Sequence, residues 1–308
     1  MIFESTTRPN HALFFRRDEA GDPRWGEQVS FAPKDYPQAK IVLLGCPQDE
    51  GVRRNGGRAG SSAAPAAIRA CFYRLVATAD SGLFDLGDTA IQDSLEETHR
   101  IQRAVAHQVL ADGKKLLVLG GGNDISYPDC GALSAFAGAT RFMAFNVDAH
   151  LDVRQHPVRH SGTPYRMLLE EALLTPANFY EIAYQPFAVA ATHLDYLRKI
   201  GAHTISMPEL RQRGVAPVIE RILQANYAGS IFWGIDMDSV CAADAPGVSA
   251  PNALGLSAAE LCDVATLAGA DPRTSVFEIT EVNPLYDVDQ RTARLAAVAI
   301  HHFLRMCL

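Results

Sequence analysis

The chain has 308 residues, 48% of them hydrophobic and 20% charged, which is enough to bury a large core and indicates neither a disordered nor a fibrous class. Its formal net charge is -7, from 35 acidic against 28 basic side chains, and the basic residues are scattered rather than striped, which argues against a nucleic-acid partner. No run reaches the roughly 20 apolar residues of a membrane span, and the opening residues lack a basic segment followed by an apolar one, so a cytoplasmic protein with no membrane partner is expected.

Residues 1–39, rich in Pro, Arg and Asp and without a sustained period, are expected to form an arm, lying on the domain or on a neighbouring subunit, of a single domain spanning 1–308. From Lys40 the chain alternates short apolar runs with amphipathic stretches. Strands are expected at 41–45, 115–119, 141–147, 178–184, 230–235 and 274–279, and helices within 65–77, 95–111, 257–268 and 289–306. This alternation implies an α/β fold with a mainly parallel central sheet and helices on both faces. In such sheets ligands bind beyond the carboxyl ends of the strands. Six cysteines, with no close pair, are expected to be reduced, most of them in the core.

Two strand ends carry the chemistry. The strand at 141–147 runs into Asp148, His150 and Asp152, alternate positions that project to one side if the extended backbone continues. The strand at 230–235 runs into Asp236 and Asp238. Carboxylates crowded at one sheet edge repel each other unless compensated, and divalent cations supply that compensation. Carboxylate and imidazole donors without thiolate favour manganese or a similar ion over structural zinc, and two such ions roughly 3.5–4 Å apart can activate a shared water. The elbow GxSxG, the phosphate loop GxxxxGK and the dinucleotide motif GxGxxG before a helix are missing, which removes the main alternatives. Gly120, Gly121 and Gly122 follow the strand at 115–119 and are expected to bring backbone close to the site.

With Glu281, Val282, Asn283 and Pro284 after a further strand, and Ala245, Pro246 and Gly247 after the DxD, the chain resembles the ureohydrolase family of arginase, agmatinase and formimidoylglutamase. The likeness covers nearly everything beyond the N-terminal arm. It implies a three-layer α/β/α fold and a dimanganese centre in a homo-oligomer. By that resemblance Asp148 and Asp236 bridge both ions, His150 and Asp238 complete one, Asp152 serves the other and helps move a proton to the leaving amine, and Glu281 receives the substrate's amidinium or guanidinium.

The branch most resembled is formimidoylglutamase, through Asp49 to Arg58, Arg154, and Ser161 to Pro164. It implies cleavage of N-formimidoyl-L-glutamate to L-glutamate and formamide in histidine breakdown. A dicarboxylate substrate suits guanidinium partners, and Arg53, Arg54, Arg58, Arg154, Arg159 and Arg166 are available, Arg58 and Arg154 foremost. Asn55 and Thr163, in the matching stretches, complete the expected substrate contacts. Two alternatives stay open: a guanidino-compound ureohydrolase of guanidinobutyrase, agmatinase or arginase type, and a metal-impaired, non-catalytic relative. The second arises from Asn123, which stands where the family usually has a histidine ligand. Asn123 can coordinate through its oxygen, Asp124 can replace it, or one ion can be lost; His156 and His160 are further candidates for the vacant place.

Overall fold

The computed structural model describes residues 2–77 and 82–307. Within them lies a sheet of nine strands: β1 (Thr6–Thr7), β2 (Ile41–Gly45), β3 (Leu83–Thr89), β4 (Lys115–Leu119), β5 (Phe142–Val147), β6 (Phe179–Tyr184), β7 (His203–Ser206), β8 (Ser230–Asp236) and β9 (Thr274–Thr280). Their order is β1-β3-β2-β4-β9-β8-β5-β6-β7. Every pairing is parallel except that of β1, which runs antiparallel to β3. The six expected strands are present, with ends displaced by at most one residue.

Alternate residues of the central strands feed two separate apolar layers. Ile41, Leu43, Leu117, Leu119, Phe145 and Trp233 pack on one face, against helices that include Ala64–Phe72, Ala258–Ala270 and Arg291–Cys307. Val42, Leu44, Leu116, Val118, Ala144 and Phe232 pack on the other, against Leu95–Ala111, Ser126–Ala137 and Pro164–Glu170. Two dry layers around one sheet are why these strands read as continuous hydrophobic runs. The result is a three-layer α/β/α sandwich.

Three strands escape the sequence reading. β3 contains Asp85, Gly87 and Asp88, residues that argue against a central strand. Arg69, from the helix Ala64–Phe72, resolves the conflict by donating to both Asp85 oxygens at 2.9 and 3.0 Å and to Asp88 at 2.6 Å. β1 and β7 are edge strands of two and four residues, too short for a period to show. The segment before β2 lies along the body of the same chain: β1 joins the sheet, and Trp25 is fully buried, stacked on Phe72 with ring centroids 5.1 Å apart.

The sheet order positions the site. β4, β9, β8 and β5 are consecutive neighbours, so the segments leaving their carboxyl ends, at Gly120, Glu281, Asp236 and Asp148, emerge side by side. No helix among the described residues is long and apolar enough to cross a membrane. The six cysteines are free thiols, four of them buried.

Candidate metal centre and active site

Beyond β5, Asp148 lies fully buried with its Oδ1 accepting the His150 backbone amide at 2.7 Å. Beyond β8, Asp236 accepts the Asp238 amide at 2.8 Å, which folds the strand end into a turn and turns Asp238 toward β5. His150 Nδ1 then lies 3.0 Å from Asp238 and 3.4 Å from Asp148. Asp152 has a left-handed backbone, φ 44°, a conformation that non-glycine residues adopt at a cost of about 1–3 kcal/mol and that concentrates at functional sites.

Two sets of side chains gather there, each with oxygen or nitrogen atoms within 4.8 Å of one another: Asp148, His150 and Asp238, and Asp148, Asp152 and Asp236. The electrostatics of the bare cluster are unfavourable. Burial, then repulsion from Asp238 and Asp148, pushes the Asp236 carboxyl well above its usual range. Burial, then Asp148, does the same to Asp152, and burial raises Asp238 to about 6 even with His150 beside it. Asp148 is also penalised by burial, but its bonds to His150 hold it below the usual range. His150 is pushed far up, first by Asp238. None of the four aspartates pairs with an arginine or lysine among the described residues. Four close carboxylates with one imidazole fit divalent cations, and the thiol-free donor set fits a hard to borderline ion such as manganese.

Asn123 sits on the turn after β4, fully buried. Gly121 makes that turn possible: a Cβ there would collide with the Gln48 carbonyl. The Asn123 oxygen accepts hydroxyl donors from Ser126 and Thr280, each at 3.0 Å. Its amide nitrogen donates to Asp152 at 2.7 Å and to Asp148 at 3.3 Å. The carboxamide thus offers the cluster N–H groups, and its oxygen is engaged elsewhere. Asp124 points away from the cluster, accepting from Gln48 at 2.6 Å and facing His99 at 2.7 Å. His156 is exposed and contacts Val158. His160 accepts the Gly162 amide at 3.1 Å, and burial lowers it to about 4. None of these three side chains joins either candidate metal set.

Glu281 leaves β9 with φ 65°. One carboxylate oxygen accepts the Asn123 backbone amide at 2.7 Å and the other accepts the Ser249 hydroxyl. Burial pushes its pKa up to about 8. Glu281, His150, Asp152, Asp236 and Asp238 line a cavity of about 410 Å³, together with Asn55, Arg58, Arg154, Ser161, His193 and Ser249. Gly162 leaves room for two of these, since a Cβ there would lie 2.9 Å from Arg154 Cδ and 3.1 Å from Asn55 Nδ2.

The structure places several of the expected substrate contacts off the cavity wall or in other pairings. Thr163 is buried and off the cavity wall: its hydroxyl donates to the His160 carbonyl at 2.8 Å and accepts the His160 amide at 3.1 Å, closing the loop before a helix. Arg53 pairs with Asp49, Arg54 with Glu50 and Glu96, and Arg166 with Glu170, while Arg159 lies over Tyr127. Arg58 lines the cavity but donates to the carbonyls of Pro246 and Val248. Arg154 lines it with its guanidinium unpaired among the described residues. The sequence reading missed Ser249 and His193. Ser249 follows Gly247 by two positions, but its partner lies 32 residues on, and no local pattern announces that.

Comparison with known proteins agrees in family and in fold. The arginase family model matches residues 39–305. A formimidoylglutamase of Nocardia farcinica is 33% identical over 291 residues, covering 91% of each chain. Among solved structures, Trypanosoma cruzi formiminoglutamase with Mn2+ has a TM-score of 0.85 at 37% identity, covering 92% of this chain and 97% of its own. Formimidoylglutamase from Bacillus subtilis also gives 0.85, at 26% identity, covering 96% of both chains.

Proposed function

The chain belongs to the arginase family, and from that premise we propose that it is a linear-amidine hydrolase converting N-formimidoyl-L-glutamate and water to L-glutamate and formamide. The relatives' activity supports the substrate. The observation that carries the reading within this chain is Arg154. Its unpaired guanidinium lines the same cavity as Asp152, Glu281 and the metal-binding carboxylates, so one wall suits a carboxylate and another a cation. A dicationic substrate such as agmatine would meet repulsion at Arg154.

Asp148, His150, Asp152, Asp236 and Asp238 would hold two Mn2+ ions, with Asn123 bracing Asp148 and Asp152 through its amide N–H groups. Bound there, the ions supply Lewis acidity and a water acidic enough to act as nucleophile near neutral pH. Glu281 receives the formimidoyl nitrogen as a cation, its two oxygens aimed by Asn123 and Ser249. Arg154 and Asn55 take the glutamate carboxylates. The bond between the formimidoyl carbon and the α-nitrogen breaks, water's oxygen becomes the carbonyl oxygen of formamide, and Asp152 delivers a proton to the departing amine. Placement in histidine breakdown, a cytoplasmic location, a single domain and a homo-oligomeric assembly complete the reading, following the family resemblance.

The test is an assay of manganese-loaded protein with N-formimidoyl-L-glutamate beside guanidinobutyrate, agmatine and arginine. Formamide and glutamate in equal amounts are expected. Urea release without formamide would assign a guanidino substrate instead, and no turnover with under one ion per chain would mark a non-catalytic relative.

A further inference from the structure

Of the two arginines on the cavity wall, Arg58 is engaged before any substrate arrives. One terminal nitrogen, Nη2, donates to the carbonyls of Pro246, at 3.3 Å, and Val248. The guanidinium carbon lies 4.3 Å from the centroid of the Tyr286 ring. The Arg58 backbone amide donates to Ser249 O at 3.3 Å, and its carbonyl accepts from Asn283 Nδ2 at 2.8 Å. One residue therefore ties together the 55–60 turn, the 245–249 loop and the 281–286 turn after β9.

Pro246 and Val248 flank Gly247, the most permissive backbone in that loop. A guanidinium bridging the carbonyls on either side of it restricts the peptide that leads into Ser249. Ser249 in turn donates its hydroxyl to Glu281. The loop is also held by Asn283 N to Gly247 O at 2.6 Å, Ala245 N to Cys241 O at 2.9 Å, Gly247 N to the Thr292 hydroxyl at 2.8 Å and the Val248 to Val282 bridge, none of which touches the Pro246 or Val248 carbonyl that Arg58 holds. Both bonds leave one nitrogen while the flat guanidinium lies over the Tyr286 ring, and an ammonium has no flat face to lie there.

We infer that Arg58 is a positioning residue: it holds the 245–249 loop so that Ser249 fixes the Glu281 carboxylate, and it is not a receptor for substrate carboxylates. The inference rests on Glu281 receiving the substrate's cation.

The experiment compares wild type, Arg58→Met, Arg58→Lys, Ser249→Ala and the double variant Arg58→Met with Ser249→Ala, all loaded with manganese. Each is assayed on N-formimidoyl-L-glutamate and on a formamidine with a plain butyl tail, and amide exchange is read by mass spectrometry. Mispositioning of Glu281 is expected to lower kcat/KM about 10- to 100-fold, by the same factor for both substrates. Lysine should not rescue, and the double variant should fall within about twofold of Arg58→Met, because both changes act through one carboxylate. Exchange at 245–249 should rise in Arg58→Met and stay at the wild-type level in Ser249→Ala. A loss confined to the dicarboxylate and carried by KM, rescue by lysine, or multiplicative losses would overturn the inference in favour of direct substrate binding. Unchanged exchange at 245–249 in Arg58→Met would overturn it without reference to turnover. If the wild type acts on a guanidino compound instead, the substrate reading fails while the same cycle on that compound still decides the role of Arg58.

Discussion

Asn123 and Arg154 carry the sharpest consequences at the scale of single residues. With its oxygen held by Ser126 and Thr280, Asn123 meets the carboxylates with N–H groups, which ease their repulsion but give a metal no lone pair. Imidazole is a better donor for transition metals. Asn123→His is therefore expected to tighten manganese binding by about tenfold, read by equilibrium dialysis against a manganese buffer; unchanged or weaker binding would mean that bracing Asp152 matters more than adding a ligand. Arg154→Met removes the unpaired guanidinium on the cavity wall. Charge-assisted hydrogen bonds contribute about 1.5–3 kcal/mol, so KM for N-formimidoyl-L-glutamate should rise roughly 10- to 100-fold while kcat changes only a few-fold. A fall in kcat at constant KM would contradict a binding role.

Secondary-structure elements show a second dependence, on close approach and on buried charge. The turn from β4 into the helix Ser126–Ala137 passes the Gln48 carbonyl so closely that only glycine fits at 121. Gly121→Ala should cost about 3 kcal/mol or more, seen as a lower midpoint in urea, and should disturb Asn123 two residues on. β3 depends on Arg69 in the same manner. Removing one partner of a buried ion pair strands the other, at a cost of about 3–5 kcal/mol, so Arg69→Met should bring a comparable loss, with Asp85 left buried without a counter-charge beside the Tyr73 hydroxyl and the Gly87 amide. Wild-type stability in both variants would refute these accounts. This dependence also explains which strands were legible. β2, β4, β5, β6, β8 and β9 are mainly apolar runs whose own composition announces them, whereas β3 carries Asp85 and Asp88, whose counter-charge comes from a helix outside its own local pattern.

The whole molecule couples the acidic centre to folding. Burial raises Glu281 from 4.5 to about 8 and Asp238 from 3.8 to about 6, and Asp236 and Asp152 move the same way. The folded, metal-free chain therefore keeps protons that the unfolded chain releases near pH 4. The folded state binds more protons across that window, so stability falls as pH rises. In EDTA the Tm should drop between about pH 5 and pH 8, and manganese, which binds the deprotonated carboxylates, should remove most of that drop. A flat profile in EDTA would show that the carboxylates are compensated without metal.

The sequence by itself determined the parallel α/β sheet, the two acidic strand ends and the glycine turn, because apolar runs and the residues that directly follow them are local features of the chain. It also placed Glu281 after its strand. Only the tertiary structure decided how those pieces act. The rotation of Asn123 depends on Thr280 and Asp152, the engagement of Arg58 on carbonyls up to 190 residues away, and the aim of Glu281 on Ser249. Of six arginines near the strand ends, four are diverted to acidic or aromatic neighbours that packing brings to them, one is tied to a loop, and Arg154 is left unpaired on the cavity wall. Which charge stays available to a ligand is settled by who else lies within hydrogen-bonding distance, and that is a property of the folded molecule.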